Sequence, residues 1–128
     1  MKTAVIYARV SSREQAEGFS IDAQIKACKL KASQENYKVL EVFKDEGFTG
    51  TSRDRPALNS LIGYCKDNSV HAVVIHKLDR FARSIADHSA IRAMLMKHGT
   101  NLISCTEQLG TAPHEIFLEH IMASMPQS

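Results

Sequence analysis

The 128-residue chain has no tryptophan, three prolines, six glycines and 6% aromatic residues, and it holds no long hydrophobic run. The apolar stretches fall far short of a membrane span, so no transmembrane helix is expected. The opening MKTAVIYARV is interrupted by Arg9 and followed by no small-residue cleavage pattern, so it reads as a buried strand and not a signal peptide. Cys28, Cys65 and Cys105 are odd in number and widely spaced, with no C-x-x-C pair. That argues against a disulfide framework or a zinc knuckle and fits a reducing cytoplasm. Low complexity is absent too: 44% hydrophobic and 23% charged residues are ordinary for a globular domain.

Basic residues are missing from one end. All 16 Lys and Arg fall within residues 1–97, whereas residues 98–128 carry three Glu and none. A modestly basic body with an acidic tail is a weak pointer to a polyanionic partner, and on charge alone a normally solvated surface is the preferred reading.

Several catalytic templates are missing. There is no G-x-S-x-G elbow and no Walker ending after Gly47-Phe48-Thr49-Gly50. The first strand is followed by no G-x-G-x-x-G, which disfavours a dinucleotide. His114 and His120 in HEIFLEH are six apart, with Leu118 at the H-E-x-x-H position, so no zincin site is expected.

What is present alternates strand with helix. Thr3–Val10, Lys38–Phe43, Val70–Ile75 and Asn101–Cys105 read as strands. Ser20 reads as an N-cap before Ile21, Ile25, Cys28 and Ala32 at helical spacing. Pro56 suits a first helical position, ahead of the stripe Leu58, Leu61, Ile62 and Cys65. A helix beginning near Asp79 is expected to run to about Met96, with Gly99 as a left-handed cap. Pro113 opens a last helix whose apolar residues cover more than one face, which fits a well-buried helix but favours one that packs on another subunit or is cut short. The expected class is α/β, a three-layer sandwich around a mostly parallel sheet of four to five strands. Working residues in such sheets lie at the carboxyl ends of the strands.

Those ends carry a specific chemistry. Tyr7, Arg9 and Ser11 alternate onto one side of the first strand. Arg53 and Arg55 follow the second strand, and His76-Lys77-Leu78-Asp79-Arg80-Phe81-Ala82-Arg83 follows the third. With a helix starting near Asp79, Arg80 and Arg83 would lie one turn apart, and Asp79 could brace a guanidinium. One serine hydroxyl facing Arg9, Arg55, Arg80 and Arg83 describes phosphoryl transfer with a serine nucleophile. Arginine forks match phosphate oxygens bidentately, and such a reaction needs electrostatics more than proton chemistry.

At this point the sequence resembles the serine recombinases, the resolvase/invertase family. Y-A-R-V-S at Tyr7–Ser11 resembles the nucleophile motif, and K-L-D-R-x-x-R at Lys77–Arg83 the arginine motif. The segment Gly18-Phe19-Ser20-Ile21-Asp22-Ala23-Gln24 and the G-F-T-G-x-x-x-x-R-P pattern ending at Arg55-Pro56 resemble the large, phage-integrase and transposase type. The resemblance implies a resolvase-like catalytic domain over residues 1–128, stopping before or early in a long oligomerisation helix, with the DNA-binding regions absent. It implies that Ser11 attacks a DNA phosphodiester, leaving a 3′-hydroxyl and a 5′-phosphoserine ester. Arg9, Arg80 and Arg83 would grip the phosphate with Arg55 assisting. Tyr7, Gln15 and Gln24 would shape the pocket, and Asp79 would orient arginines or shuttle a proton. Leu78 would pack, and Thr49 stands where small relatives carry a serine. No metal and no cofactor are implied. The implied partners are double-stranded DNA and further copies of the full-length protein, as dimer or tetramer, in a bacterial or phage-encoded cytoplasmic protein. The fragment alone is not expected to recombine DNA. The βα alternation by itself also fits a non-catalytic flavodoxin-like or phosphate-binding module, or a small phosphatase-like hydrolase using Ser11.

Overall fold

The structure, a computed structural model, describes residues 1–48, 55–82 and 84–109. Arg83, Arg53, Thr49 and the helix expected from Pro113 lie outside the described residues. The elements are β1 (Lys2–Ser11), α1 (Ser12–Ala16), α2 (Ile21–Gln34), β2 (Tyr37–Phe48) and α3 (Pro56–Asp67). After these come β3 (Ala72–Ile75), a 3-10 turn (Leu78–Arg80), α4 (Ile85–Lys97) and β4 (Asn101–Ser104). The four strands form one all-parallel sheet in the order β2-β1-β3-β4.

Alternation along β1 sorts its side chains onto two faces. Val5 and Tyr7 pack with Val73, Ile75 and Leu102 beneath Leu58, Leu61 and Cys65 of α3 and Ile91 and Leu95 of α4. Ala4 and Ile6 pack with Ala72 and Val74 beneath Cys28 and Ala32 of α2. Both faces are therefore covered, which is why β1 and β3 read as continuous apolar runs. The three-layer arrangement matches the expectation, and among the described residues the sheet has four strands, all parallel.

The strand order positions the site. From β1 the chain crosses to β2 through α2 on one face. It then returns past β1 to β3 through α3 on the other face. Connections that leave adjacent strands in opposite directions open a crevice at their carboxyl ends. That crevice lies between β1 and β3, where Ser11 and the Leu78–Arg80 turn are found.

Three elements depart from the sequence reading: the short helix α1, which it did not expect, the end of β2 and the start of α4. β2 runs on to Phe48, five residues past its expected end, because β1 supplies ladder partners for its polar tail: Arg9 pairs with Asp45 and Val10 with Glu46. Gly47 in this tail has φ +80°, a left-handed conformation that favours glycine. The helix expected from near Asp79 instead starts at Ile85, capped by Ser84, whose hydroxyl accepts from the Asp87 backbone N–H. The Asp79 and Arg80 carbonyls are taken by the Arg9 guanidinium, so they do not feed a continuing helix. The expected caps are found elsewhere: Ser20 accepts from the Ala23 N–H, Pro56 sits at the start of α3, and Gly99 ends α4 at φ +75°.

Candidate active site

The site is built from the end of β1 outward. A register shift between Val10 and Ser11 interrupts the strand alternation just before the serine. Ser11 then serves as N-cap of α1. Its Oγ accepts from the Glu14 backbone N–H at 3.1 Å, and its own N–H donates to Glu14 Oε1 at 2.9 Å. This reciprocal capping box fixes the serine at the mouth of the crevice. The cap uses an oxygen lone pair, so the hydroxyl hydrogen stays available for transfer.

Arg9 joins the two sides of the crevice. Its Nη2 donates to the Asp79 carbonyl at 2.6 Å and its Nε to the Arg80 carbonyl at 3.3 Å. Its backbone is clamped by buried Gln24 of α2, which donates to the Arg9 carbonyl at 3.0 Å and accepts from the Arg9 N–H at 3.4 Å. The charged residue in the apolar strand thus has its position set at both ends.

Arg80 points back toward the serine. Its Nη1 pairs with Glu14 Oε2, its Nε lies 3.8 Å from Asp79 Oδ1, and its guanidinium stacks 5.7 Å above the Phe19 ring. Among the described residues, Asp79 Oδ1 is buried with no hydrogen-bond donor in range. The turn that carries Arg80 is anchored from just beyond β4, where Glu107 accepts from the Leu78 N–H at 3.2 Å and pairs with the Ser104 hydroxyl. Partial burial, then the Lys77 and Arg80 charges, hold the His76 imidazole below its ordinary pKa.

Tyr7 and Arg55 lie beneath this rim. The Tyr7 phenol donates to Asp45, and burial followed by that carboxylate keeps it protonated far above its ordinary range. Arg55 is buried. Its Nη1 donates to the Phe81 carbonyl at 2.7 Å, and its Nη2 reaches both Asp87 oxygens at 2.8 and 2.7 Å. Arg55 therefore braces α3 against the start of α4. Gln15 is exposed on α1, 3.4 Å from Glu46. So Ser11, Arg9, Asp79, Arg80 and Gln24 come together, while Tyr7 and Arg55 support them from below and Gln15 sits outside. Leu78 packs in the core, as expected.

The sequence reading missed Glu14, Asp45, Asp87 and Glu107. Ser11-x-x-Glu14 is a capping-box pattern, so the first had a visible signal. Among the described residues no group of three or more His, Cys, Asp or Glu side chains could hold a metal ion. Nor is any described helix long and apolar enough to cross a membrane.

A model of the resolvase N-terminal domain matches residues 4–128. The chain belongs to the resolvase N-terminal domain family. It is 38% identical over 109 residues to a putative DNA recombinase of Bacillus subtilis strain 168, covering 84% of this chain and 21% of that protein. It is 29% identical over 122 residues to the Tn917 transposon resolvase of Enterococcus faecalis, covering 94% of this chain and 59% of that one. The chain thus spans less than two thirds of the length of either curated relative. Among solved structures it resembles the N-terminal catalytic domain of TP901-1 integrase, with a TM-score of 0.76 and 31% identity. That match covers 95% of this chain and 91% of the other. The fold of this resolvase domain is accordingly that of the serine recombinase catalytic domains.

Proposed function

We propose that this chain is the catalytic domain of a site-specific DNA recombinase, with Ser11 as nucleophile. The Ser11 oxygen attacks a phosphodiester phosphorus, the 3′-oxygen leaves as a hydroxyl, and the 5′-phosphate stays esterified to the serine. Retaining one ester bond for each bond broken lets a 3′-hydroxyl reverse the step on a new partner. The observation that carries this reading is the chain of contacts Ser11–Glu14–Arg80. It links a guanidinium from the turn after β3, through Glu14, to the backbone of the serine at the end of β1. Arg9 and Gln24 hold the two strand ends in register.

Within this reading Arg80 stabilises the charge that develops on the phosphate, Arg9 organises the turn, and Arg83 adds a second fork. Asp79, 3.8 Å from Arg80 Nε, orients that arginine or shuttles the serine proton to the leaving 3′-oxygen. Residues 1–128 act as the catalytic unit, and sequence recognition on double-stranded DNA, with dimer or tetramer assembly, uses other parts of a longer bacterial or phage-encoded cytoplasmic protein. The names borne by the relatives, DNA recombinase and transposon resolvase, support the same reading.

The test uses the full-length recombinase on labelled DNA from its own element, quenched with denaturant. A protein–DNA adduct at the 5′ end is expected, and Ser11→Ala abolishes it while leaving the fold intact. Arg80→Lys should lower adduct formation by on the order of a hundredfold, because a point charge replaces a fork. A Ser11→Ala protein that still forms the adduct rejects the assignment.

A further inference from the structure

Glu14 stands where an anionic substrate would have to go. Its Oε1 accepts from the Ser11 N–H at 2.9 Å, and its Oε2 pairs with Arg80, 66 residues away in sequence. The two oxygens of one carboxylate therefore bridge the backbone of the nucleophile and the guanidinium. A phosphodiester offers the same pattern: two acceptor oxygens sharing one negative charge, matched to an arginine fork. With Glu14 in place, a phosphate at Arg80 would set two anions against one guanidinium.

The pair is reachable. The Glu14 side chain is 24% exposed and that of Arg80 14%. Partial burial alone would raise the Glu14 pKa, but the bonds from Arg80 and Ser11 outweigh it and hold the carboxyl below its ordinary value. The group is anionic at neutral pH.

We infer that Glu14 is an internal competitor for phosphate at Arg80, a latch that keeps the arginine closed until a phosphodiester displaces the carboxylate. This rests on the reading of Arg80 as a phosphate-binding residue. It differs from a plain positioning role, in which Arg80 would need Glu14 to bind phosphate well. The latch also offers a check on wasteful cleavage: a free anion must outcompete a tethered one, whereas a phosphodiester held by the rest of a DNA complex does so readily.

Glu14→Gln separates the latch from the cap, because glutamine at the same helix position still accepts from the Ser11 N–H. The test titrates the 15N-labelled chain with inorganic phosphate at neutral pH and constant ionic strength, reading the Arg80 Nε–H resonance. Glu14→Gln is expected to half-saturate at a phosphate concentration at least threefold below wild type. Adding Arg80→Ala is expected to remove that gain. In the wild-type chain, the Glu14 carboxyl carbon resonance should move as phosphate saturates the site. That reading is independent of whether the glutamine variant folds. Unchanged or weaker binding by a folded Glu14→Gln, a gain that survives Arg80→Ala, or a Glu14 resonance that stays still overturns the latch. None of these readouts requires DNA cleavage. A missing covalent adduct would count against the recombinase reading alone, and unaltered phosphate binding against the latch alone.

Discussion

The Tyr7 phenol donates to Asp45 Oδ2 at 2.8 Å, and both residues are buried, Asp45 to 1% exposure. The same carboxylate accepts from the Ala57 N–H at 2.9 Å and the Leu58 N–H at 3.2 Å. Arg55, the N-cap residue of α3, makes no side-chain cap bond. Asp45 therefore caps α3 from the neighbouring strand, and it fixes the helix to β1 through Tyr7. Asp45→Ala strands three donors and is expected to lower unfolding stability by about 3 kcal/mol. Tyr7→Phe removes one donor and leaves the other two bonds, so it is expected to lower it by about 1 kcal/mol. Urea unfolding of the two variants decides the matter. An Asp45→Ala protein as stable as Tyr7→Phe would show that the carboxylate is not the hub.

A second strut ties α3 to α4. Arg55 Nη2 donates to both oxygens of Asp87, and the two side chains are 10% and 26% exposed. Arg55 also holds the Phe81 carbonyl at 2.7 Å, just beyond the turn that carries Arg80. Removing either partner leaves the other charge partly buried, so Arg55→Ala and Asp87→Ala should each lose about 2 kcal/mol. The double variant should lose clearly less than their sum, because both remove one interaction. A double-mutant cycle by chemical unfolding measures this, and strict additivity would reject the strut.

The sheet and its crevice were legible because apolar runs and caps are local signals. Val70–Ile75, Ser20 and Pro56 all announce themselves within a few residues, and Arg9 inside an apolar strand marks a charge with work to do. The longer β2 and the later start of α4 were not legible, because each depends on a partner distant in sequence. The polar Asp45–Glu46 pair looks like loop until β1 lies beside it, and the Asp79–Arg80 backbone looks helical until Arg9 takes its carbonyls. The same limit applies to the site. Ser11 and Arg80 stand out by residue type, while Asp45 and Glu107 act through tertiary bonds that no spacing encodes.

The three cysteines should differ sharply in reactivity. Cys28 and Cys65 are buried, and Cys105, just after β4, is partly exposed. The Cys105 and Cys28 sulfurs are 3.9 Å apart. On ionisation of Cys105, the Cys28 thiol donates to the thiolate and lowers its pKa below the ordinary 9.0, opposed by partial burial and aided by the Lys31 charge. The same bond, with burial, pushes Cys28 up, and burial raises Cys65. Since the thiolate is the nucleophile, the order at pH 7.5 is expected to be Cys105 first, with Cys28 and Cys65 at least about tenfold slower. Cys105 alkylation should rise with pH through a midpoint below 9.0. Replacing Cys28 with alanine removes the donor, so that midpoint should then move upward. Peptide mass mapping after timed iodoacetamide treatment in native buffer reads all three sites at once. A Cys105 midpoint indifferent to Cys28→Ala would mean that exposure alone sets its reactivity and that the sulfur–sulfur contact contributes nothing.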